Sequence, residues 1–224
     1  MKTIILIGAR IDGHASVIID CLNLINKYKI IGFLDNTPEF KNKIINGIPV
    51  LGSSNDIDKF IDKADLFHIS IGDNIGRGHL FNKLKSLNCN LLTIIHPNAI
   101  ISDNTTIGEG SFIGPAAIIN NNTKLKDCVI INSGAIIEHD NYIGSFTHIA
   151  PGSKTAGRVF IDDYSFIGIG SSIIPDIKIG KNVIVGAGST VVKNIENRKT
   201  VVGYAAKTYI KPTNIYELSK TDKK

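Results

Sequence analysis

Histidine and two carboxylates adjoin at Glu138-His139-Asp140. An imidazole changes charge close to neutral pH, and a carboxylate that accepts from one ring nitrogen raises the basicity of the other. His139 is therefore a candidate general base and Asp140 the acid that tunes it. Glu138 is the weaker candidate, because its place in the local pattern commonly takes a turn residue. Three loops carry the remaining polar chemistry: Gly8-Ala9-Arg10-Ile11-Asp12-Gly13-His14, Asp35-Asn36 and Gly72-Asp73-Asn74. The nicotinamide-nucleotide pattern G-x-G-x-x-G is absent from the first, although Asp35 lies about where a ribose-binding carboxylate would be. A nucleotide or nucleotide sugar over Asp12, Gly13 and His14 fits these residues better than a redox cofactor.

The element that positions His139 is legible as a period. Every sixth residue from Ile101 to Val191 is aliphatic except Thr155, and a small or β-branched residue mostly follows four places later. Neither a helix nor an alternating strand holds such a phase, whereas a parallel β-helix of hexapeptide repeats does. Each repeat is too short to bury its aliphatic face alone, so successive coils share one core. Three hexapeptides complete a coil, and residues 18 apart stack in columns. With the aliphatic residue as position one, position three should face out along a flat side. His139 then stacks between Asn121 and Gly157, and the glycine leaves room beside the ring. The repeat that breaks the aliphatic rule, Thr155-Ala156-Gly157, is in the coil next to it.

Residues 1–95 obey a different rule. Apolar runs at 3–7, 30–34, 66–71 and 91–95 read as buried strands, with helical patterns at 14–26, 56–63 and 77–87 between them. Alternating strands and helices predict a small Rossmann-like α/β domain on a parallel sheet. The three polar loops fall at the carboxyl ends of its strands, where open α/β sheets bind ligands. The expected organisation is 1–95 for this domain, 96–212 for a left-handed parallel β-helix, and 213–224 for a solvated tail.

Composition narrows the partners. The 224 residues contain 25 Lys and Arg against 20 Asp and Glu. No basic cluster interleaved with aromatics appears, so nucleic acid is not expected. Cys21, Cys89 and Cys128 form no CxxC pair and read as free thiols of a reducing compartment. The apolar run at the start is short and meets Arg10 and Asp12 at once. Nothing approaches the ~20 apolar residues of a membrane span, and a cytoplasmic chain is expected. His139 and His148 are the only histidines of the repeat region and belong to different columns. No metal is expected.

The segments 137–144 and 148–152, behind a βαβ domain, resemble the hexapeptide-repeat sugar acyltransferases of the sialic acid O-acetyltransferase type. That family includes bacterial nucleotide-amino-sugar N-acetyltransferases. The Gly72-Asp73-Asn74 turn, the Ile95-His96-Pro97 junction and Gly186-Ala187-Gly188 belong to the same likeness, which covers residues 1 to about 210. It implies a cytoplasmic homotrimer of surface-glycan biosynthesis, with active sites between neighbouring β-helices and acetyl-CoA along their walls. It also implies His139 as base and Asp140 as its acid. Asp12, Gly13, His14, Asp35, Asn36 and Gly72 would contact the nucleotide sugar, and His148, Gly157, Ile169 and Ala187 would line the acetyl-CoA path. Two departures stand out: the loop 8–14 is two residues longer than the usual form, and Gly203-Tyr204-Ala205-Ala206 replaces the customary Gly-x-Pro-Ala.

The chemistry implied is direct acetyl transfer to the amine of a nucleotide-linked deoxysugar, with a backbone N–H near Gly157 for the oxyanion. An O-acetyltransferase of sialic acid or a related sugar makes the same demands on the β-helix. A non-catalytic β-helix binding protein would leave the outward His139-Asp140 pair without a role, and a zinc-dependent hydratase would need a third ligand beside His139 and His148.

Overall fold

The structure, a computed structural model, describes residues 1–10, 13–203 and, as backbone, 207–209. Asp12 and the segment 213–224 lie outside the described residues. The chain begins with β1 (Lys2–Ile7), α1 (His14–Ile25), β2 (Tyr28–Leu34), β3 (Ile44–Ile45), β4 (Ile48–Gly52), β5 (Leu66–Ile69) and α2 (Asn74–Ser86). One mixed sheet forms in the order β3-β4-β2-β1-β5. β1 is covered on both faces, which is why Ile4 to Ile7 form an unbroken apolar run. α1 turns Ala15, Ile18, Ile19 and Leu22 onto the sheet at helical spacing.

Three expectations for this domain need correction. The sheet is not all parallel: β3 and β4 are an antiparallel hairpin whose turn, Asn46-Gly47, has φ of 49° and 76°. Two successive positive φ values make the tight turn that suits twisted strands, and Asn-Gly is its favoured pair. The run 91–95 is not a fourth strand of this sheet. Leu91 makes one parallel bridge to Phe67, and Ile94–Ile95 pairs with Phe112–Ile113 as the first rung of the β-helix. The helical pattern expected at 56–63 is a 3₁₀ segment, Ser54–Phe60.

From Ile94 on, two-residue strands recur every six residues and build a parallel β-helix of three sheets. Pairs such as Ile119↔Ile137 and Ile137↔Thr155 confirm the 18-residue coil. The aliphatic column is the core: Ile119, Ile137, Ile143, Ile149, Ile161 and Ile167 have no exposed surface. Position three, however, is at a corner rather than on a flat side, because strands occupy the residue before the aliphatic one and the aliphatic residue itself. The next residue turns the chain. Every sixth residue from Gly110 to Gly188 has φ between 55° and 70°. Most of these turns carry a side chain, yet Gly134, Gly152, Gly170 and Gly188 share one corner.

The prism has three distinct sides. On the first, the outward residues Ile94, Phe112 and Ile130 join Ile4, Leu6, Ile18 and Phe33 in one cluster, so this side faces the N-terminal domain. The second bears Ile100, Ile118 and Ile136 outward, and the third bears Tyr142 stacked on Phe160 at 4.7 Å. α2 docks on the corner between the third and first sides. Its Arg77, 1% exposed, donates to the carbonyls of Gly72, Cys128 and Phe146 and to Asn74 Oδ1. Asn74 Nδ2 donates to the carbonyls of Tyr164 and Ser165. A Cβ on Gly78 would come within 2.6 Å of the Tyr164 ring, so only glycine lets the helix approach this closely.

Candidate active site

His139 and Asp140 form the corner between the isoleucine and aromatic sides. Asp140 Oδ2 accepts from His139 Nδ1 at 2.7 Å, a contact that fixes the tautomer and leaves Nε2 as the basic atom. This hydrogen bond is the main reason the Asp140 carboxyl is held below its ordinary pKa, followed by one from Asn122 and the nearby charge of Arg158. The side chains are 50% and 41% exposed. The predicted column holds: Asp140 N–H donates to Asn121 O, and Arg158 N–H donates to His139 O. A Cβ on Gly157 would be 2.6 Å from His139 Cε1 and 2.7 Å from Nε2. The ring therefore rests on bare backbone, with its basic nitrogen above the glycine.

Asn141 stitches this corner from inside. Only 1% exposed, it donates through Nδ2 to the carbonyls of Glu138, His139 and Ala156. It fills a place that small or aliphatic residues take in other repeats. The dyad's turn is thus tied to the rung that presents Gly157.

The loops at the carboxyl ends of β1, β2 and β5 converge on the domain-facing side. Gly8, with φ of 106°, lies so close to β5 that a Cβ would meet Ile71 Cγ2. Asp35 is a brace: its two oxygens accept from the Ala9 and Thr37 N–H groups at 2.6 and 2.7 Å. Asn36 is exposed and accepts from Ser53 Oγ. Gly13 caps α1, and Gly72 offers its carbonyl to Arg77. His14 leads back to the β-helix. Its ring meets Phe112 edge-on at 4.9 Å and has its centroid 6.3 Å from that of His148.

His148 projects from the domain-facing side, with Asn132 Nδ2 donating to its Nε2 at 3.1 Å and Phe166 packed edge-on at 5.0 Å. Ile169 and Ala187 are exposed at the neighbouring corner, the one lined by the four glycines. A Cβ at any of these glycines would meet nothing within 4 Å, so the corner is an open strip of backbone. The predicted residues therefore form two groups in one chain. His14, Gly72 and His148 meet at the domain-facing side, Gly13, Asp35 and Asn36 belong to the loops of the N-terminal domain, and Ile169 and Ala187 occupy the adjoining corner. His139, Asp140 and Gly157 occupy the opposite edge. Asn122, Asn132, Asn141 and Arg77 had no sequence signal beyond position: Asn122 and Asn132 become visible only once the coils are stacked.

Three histidines lie where the domains meet: His68 and His148 are buried, and His14 is half-buried with its Nε2 enclosed. Burial drives His14 well below its ordinary pKa, helped by the proximity of His148, His68 and Arg77. Burial lowers His68 to about 4, opposed by its contact with the Leu92 carbonyl, and lowers His148 to about 3, with Arg77 adding to the effect. In the unfolded chain all three bind protons below about pH 6.5. The stability secured by keeping them neutral is complete above that pH and is lost as the pH falls towards 4. A melting temperature at pH 5 lower by about 5 °C or more than at pH 7 is expected; differential scanning calorimetry across this range would contradict it with a flat profile.

The cysteines are buried and unbridged. Burial raises Cys21 to about 11 and Cys128 to about 12, so neither thiol is a ready nucleophile. Among the described residues no group of three His, Cys, Asp or Glu could hold a metal ion, and no helix is long and apolar enough to cross a membrane.

Residues 3–84 match the PglD N-terminal domain family model and residues 158–193 the bacterial transferase hexapeptide (six repeats) model. A UDP-N-acetylbacillosamine N-acetyltransferase of Bacillus subtilis (strain 168) is 34% identical over 116 residues. That match spans 50% of this chain and about half, 51%, of the relative. The acetyltransferase domain of PglB from Neisseria gonorrhoeae superposes with a TM-score of 0.87 at 30% identity, over 93% of this chain and 100% of that one. PerB from Caulobacter crescentus, in complex with CoA and GDP-perosamine, gives 0.87 and 30%, over 93% and 98%.

Proposed function

Because the chain belongs to the hexapeptide-repeat sugar N-acetyltransferases, we propose that it transfers an acetyl group from acetyl-CoA to the amine of a nucleotide-linked amino-deoxysugar. Residues 1–95 would hold the nucleotide sugar and residues 96–212 would carry the transfer, in the cytoplasm, towards a surface glycan. The observation that carries this reading is the Asp140-bound imidazole seated over Gly157, a base whose ring is half exposed.

Acetyl-CoA supplies the thioester. His139 Nε2 takes the proton of the amine as it attacks, Asp140 stabilises the imidazolium, and the same proton goes to the departing thiolate. A positioned base of this kind contributes about 10²–10⁴-fold. No covalent acyl-enzyme is required. Neither group of residues suffices alone, since the dyad edge is across the prism from His14 and His148. The two are joined when the dyad of one chain meets the nucleotide loops, His148 and glycine corner of another, as in a homotrimer. The outward Ile100, Ile118 and Ile136 beside the dyad corner are the apolar face such packing would cover.

Turnover, followed as thiol release from acetyl-CoA with UDP- or GDP-linked amino-deoxysugars, tests the reading directly. Chains carrying His139→Ala and chains carrying His14→Ala should each be inactive and regain activity when co-assembled. Failure of every amino sugar while free sialic acid is acetylated would instead favour the O-acetyltransferase. Gly157→Ala should fold normally but lower kcat by about a hundredfold, because its methyl displaces the ring by roughly 1 Å. An unchanged kcat would show that the ring does not act from this seat.

A further inference from the structure

We propose that Asn122 is a positioning residue for the transfer: its amide clamps the Asp140 carboxylate in the plane that engages His139. The inference rests on the acetyltransferase reading above and concerns how its base is held. Asn122, Asp140, Arg158 and Asp176 form one column, 18 residues apart, at the left-handed position of successive turns, with φ of 60°, 59°, 59° and 64°. This repeated backbone directs the four side chains into a ladder along the dyad corner.

Each contact in the ladder has a separate partner. Asn122 Nδ2 donates to Asp140 Oδ1 at 2.5 Å, while Oδ2 of the same carboxylate accepts from His139 Nδ1 at 2.7 Å. A carboxylate held at one oxygen can still swing about its Cβ–Cγ bond. Held at both, it has a fixed plane, and the imidazole it orients has a fixed direction. On the other side of Asp140 stands Arg158, whose planar guanidinium is a strong competitor for a carboxylate. Arg158 is committed elsewhere: its Nε and Nη2 donate to the two oxygens of Asp176 at 2.7 and 2.8 Å. The ladder thus gives Asp140 a neutral donor and diverts the cation, so the full negative charge of Asp140 stays available to the imidazolium. Asn122 hydrogen-bonds the carboxylate and not the imidazole, so it acts through Asp140.

The test is a double-mutant cycle on the full chain, with turnover measured by the same thiol-release assay. Asn122→Ala should lower kcat about tenfold, as loss of a group that orients a catalytic residue commonly does, and leave both KM values unchanged. Asn122→Gly, which meets the positive φ without strain, should show the same loss at parental melting temperature. Added to Asp140→Asn, either substitution should have no further effect. Asp176→Ala should also slow turnover by freeing Arg158 for Asp140, and Arg158→Ala in that background should restore it. Parental kcat in both Asn122 variants, or an undiminished loss in the Asp140→Asn background, overturns the clamp. Parental turnover in His139→Ala overturns the base assignment and the inference with it, whereas an inactive His139→Ala beside fully active Asn122 variants overturns the clamp alone.

Discussion

Alanine at His139 lowers kcat by at least about a hundredfold while the melting temperature and subunit assembly stay at their parental values. The asymmetry follows from where the ring is. It sits on a corner, half exposed, hydrogen-bonded to Asp140 and resting on a glycine, and no part of it belongs to the aliphatic core. Substitutions away from core packing and buried polar networks usually move stability by no more than about 0.5 kcal/mol. The chemistry has no such reserve, because no other imidazole shares this edge of the prism. His148 cannot substitute: it is buried on another side and kept neutral well into acid. Steady-state assays beside thermal melts separate the two effects. Near-parental turnover in the variant would end the assignment of His139 as base.

Methionine at Arg77 has the opposite character, a large loss of stability from a residue outside the chemistry. The guanidinium ties Gly72 of the nucleotide loops to the Cys128 and Phe146 turns of the β-helix, and its Nη2 also meets Asn74. Removing a charged donor from buried carbonyls costs about 1–3 kcal/mol for each acceptor left without a partner. A total of about 4 kcal/mol is expected. Lysine should recover only part of this, since a single ammonium cannot reproduce the planar fork that reaches three carbonyls. Urea denaturation should show the parental single transition splitting in two as the N-terminal domain loses its anchor on the prism. An unshifted midpoint in Arg77→Met would show that apolar packing, such as Phe81 of α2 edge-on against Phe146 of the β-helix at 5.4 Å, carries the junction alone.

The β-helix was legible in the sequence because its period is enforced at every rung: a polar residue in the aliphatic column would be buried, and only Thr155 is tolerated. The same regularity made the stacking of His139 over Gly157 readable from arithmetic. What arithmetic could not supply was which hexapeptide position turns the corner, since the flat strands and the bends have the same spacing. In the N-terminal domain, β1 and β2 were legible as long apolar runs, but β3 and β4 are short and half exposed. Their one clear signal was Asn46-Gly47. The run 91–95 reads as a strand of the first sheet, yet an apolar strand does not declare which sheet it will join. Among the polar residues, Asp35 suggests a ligand contact in the sequence, and its second part, as a brace for the Ala9 and Thr37 N–H groups, depends on which donors lie within 3 Å.

Sixfold indexing also constrains how this chain can change length. Neighbouring coils are about 4.8 Å apart. Inserting one complete coil of 18 residues between the domain-facing contacts and His139 would raise the base by a single such step without rotating it. Six or twelve residues would carry it a third or two thirds of the way round to a different side, and a number not divisible by six would drive polar groups into the hydrocarbon interior. Changes of length that keep the base on its own side of the prism are therefore confined to whole-coil increments, a constraint that the loops of the α/β domain do not share.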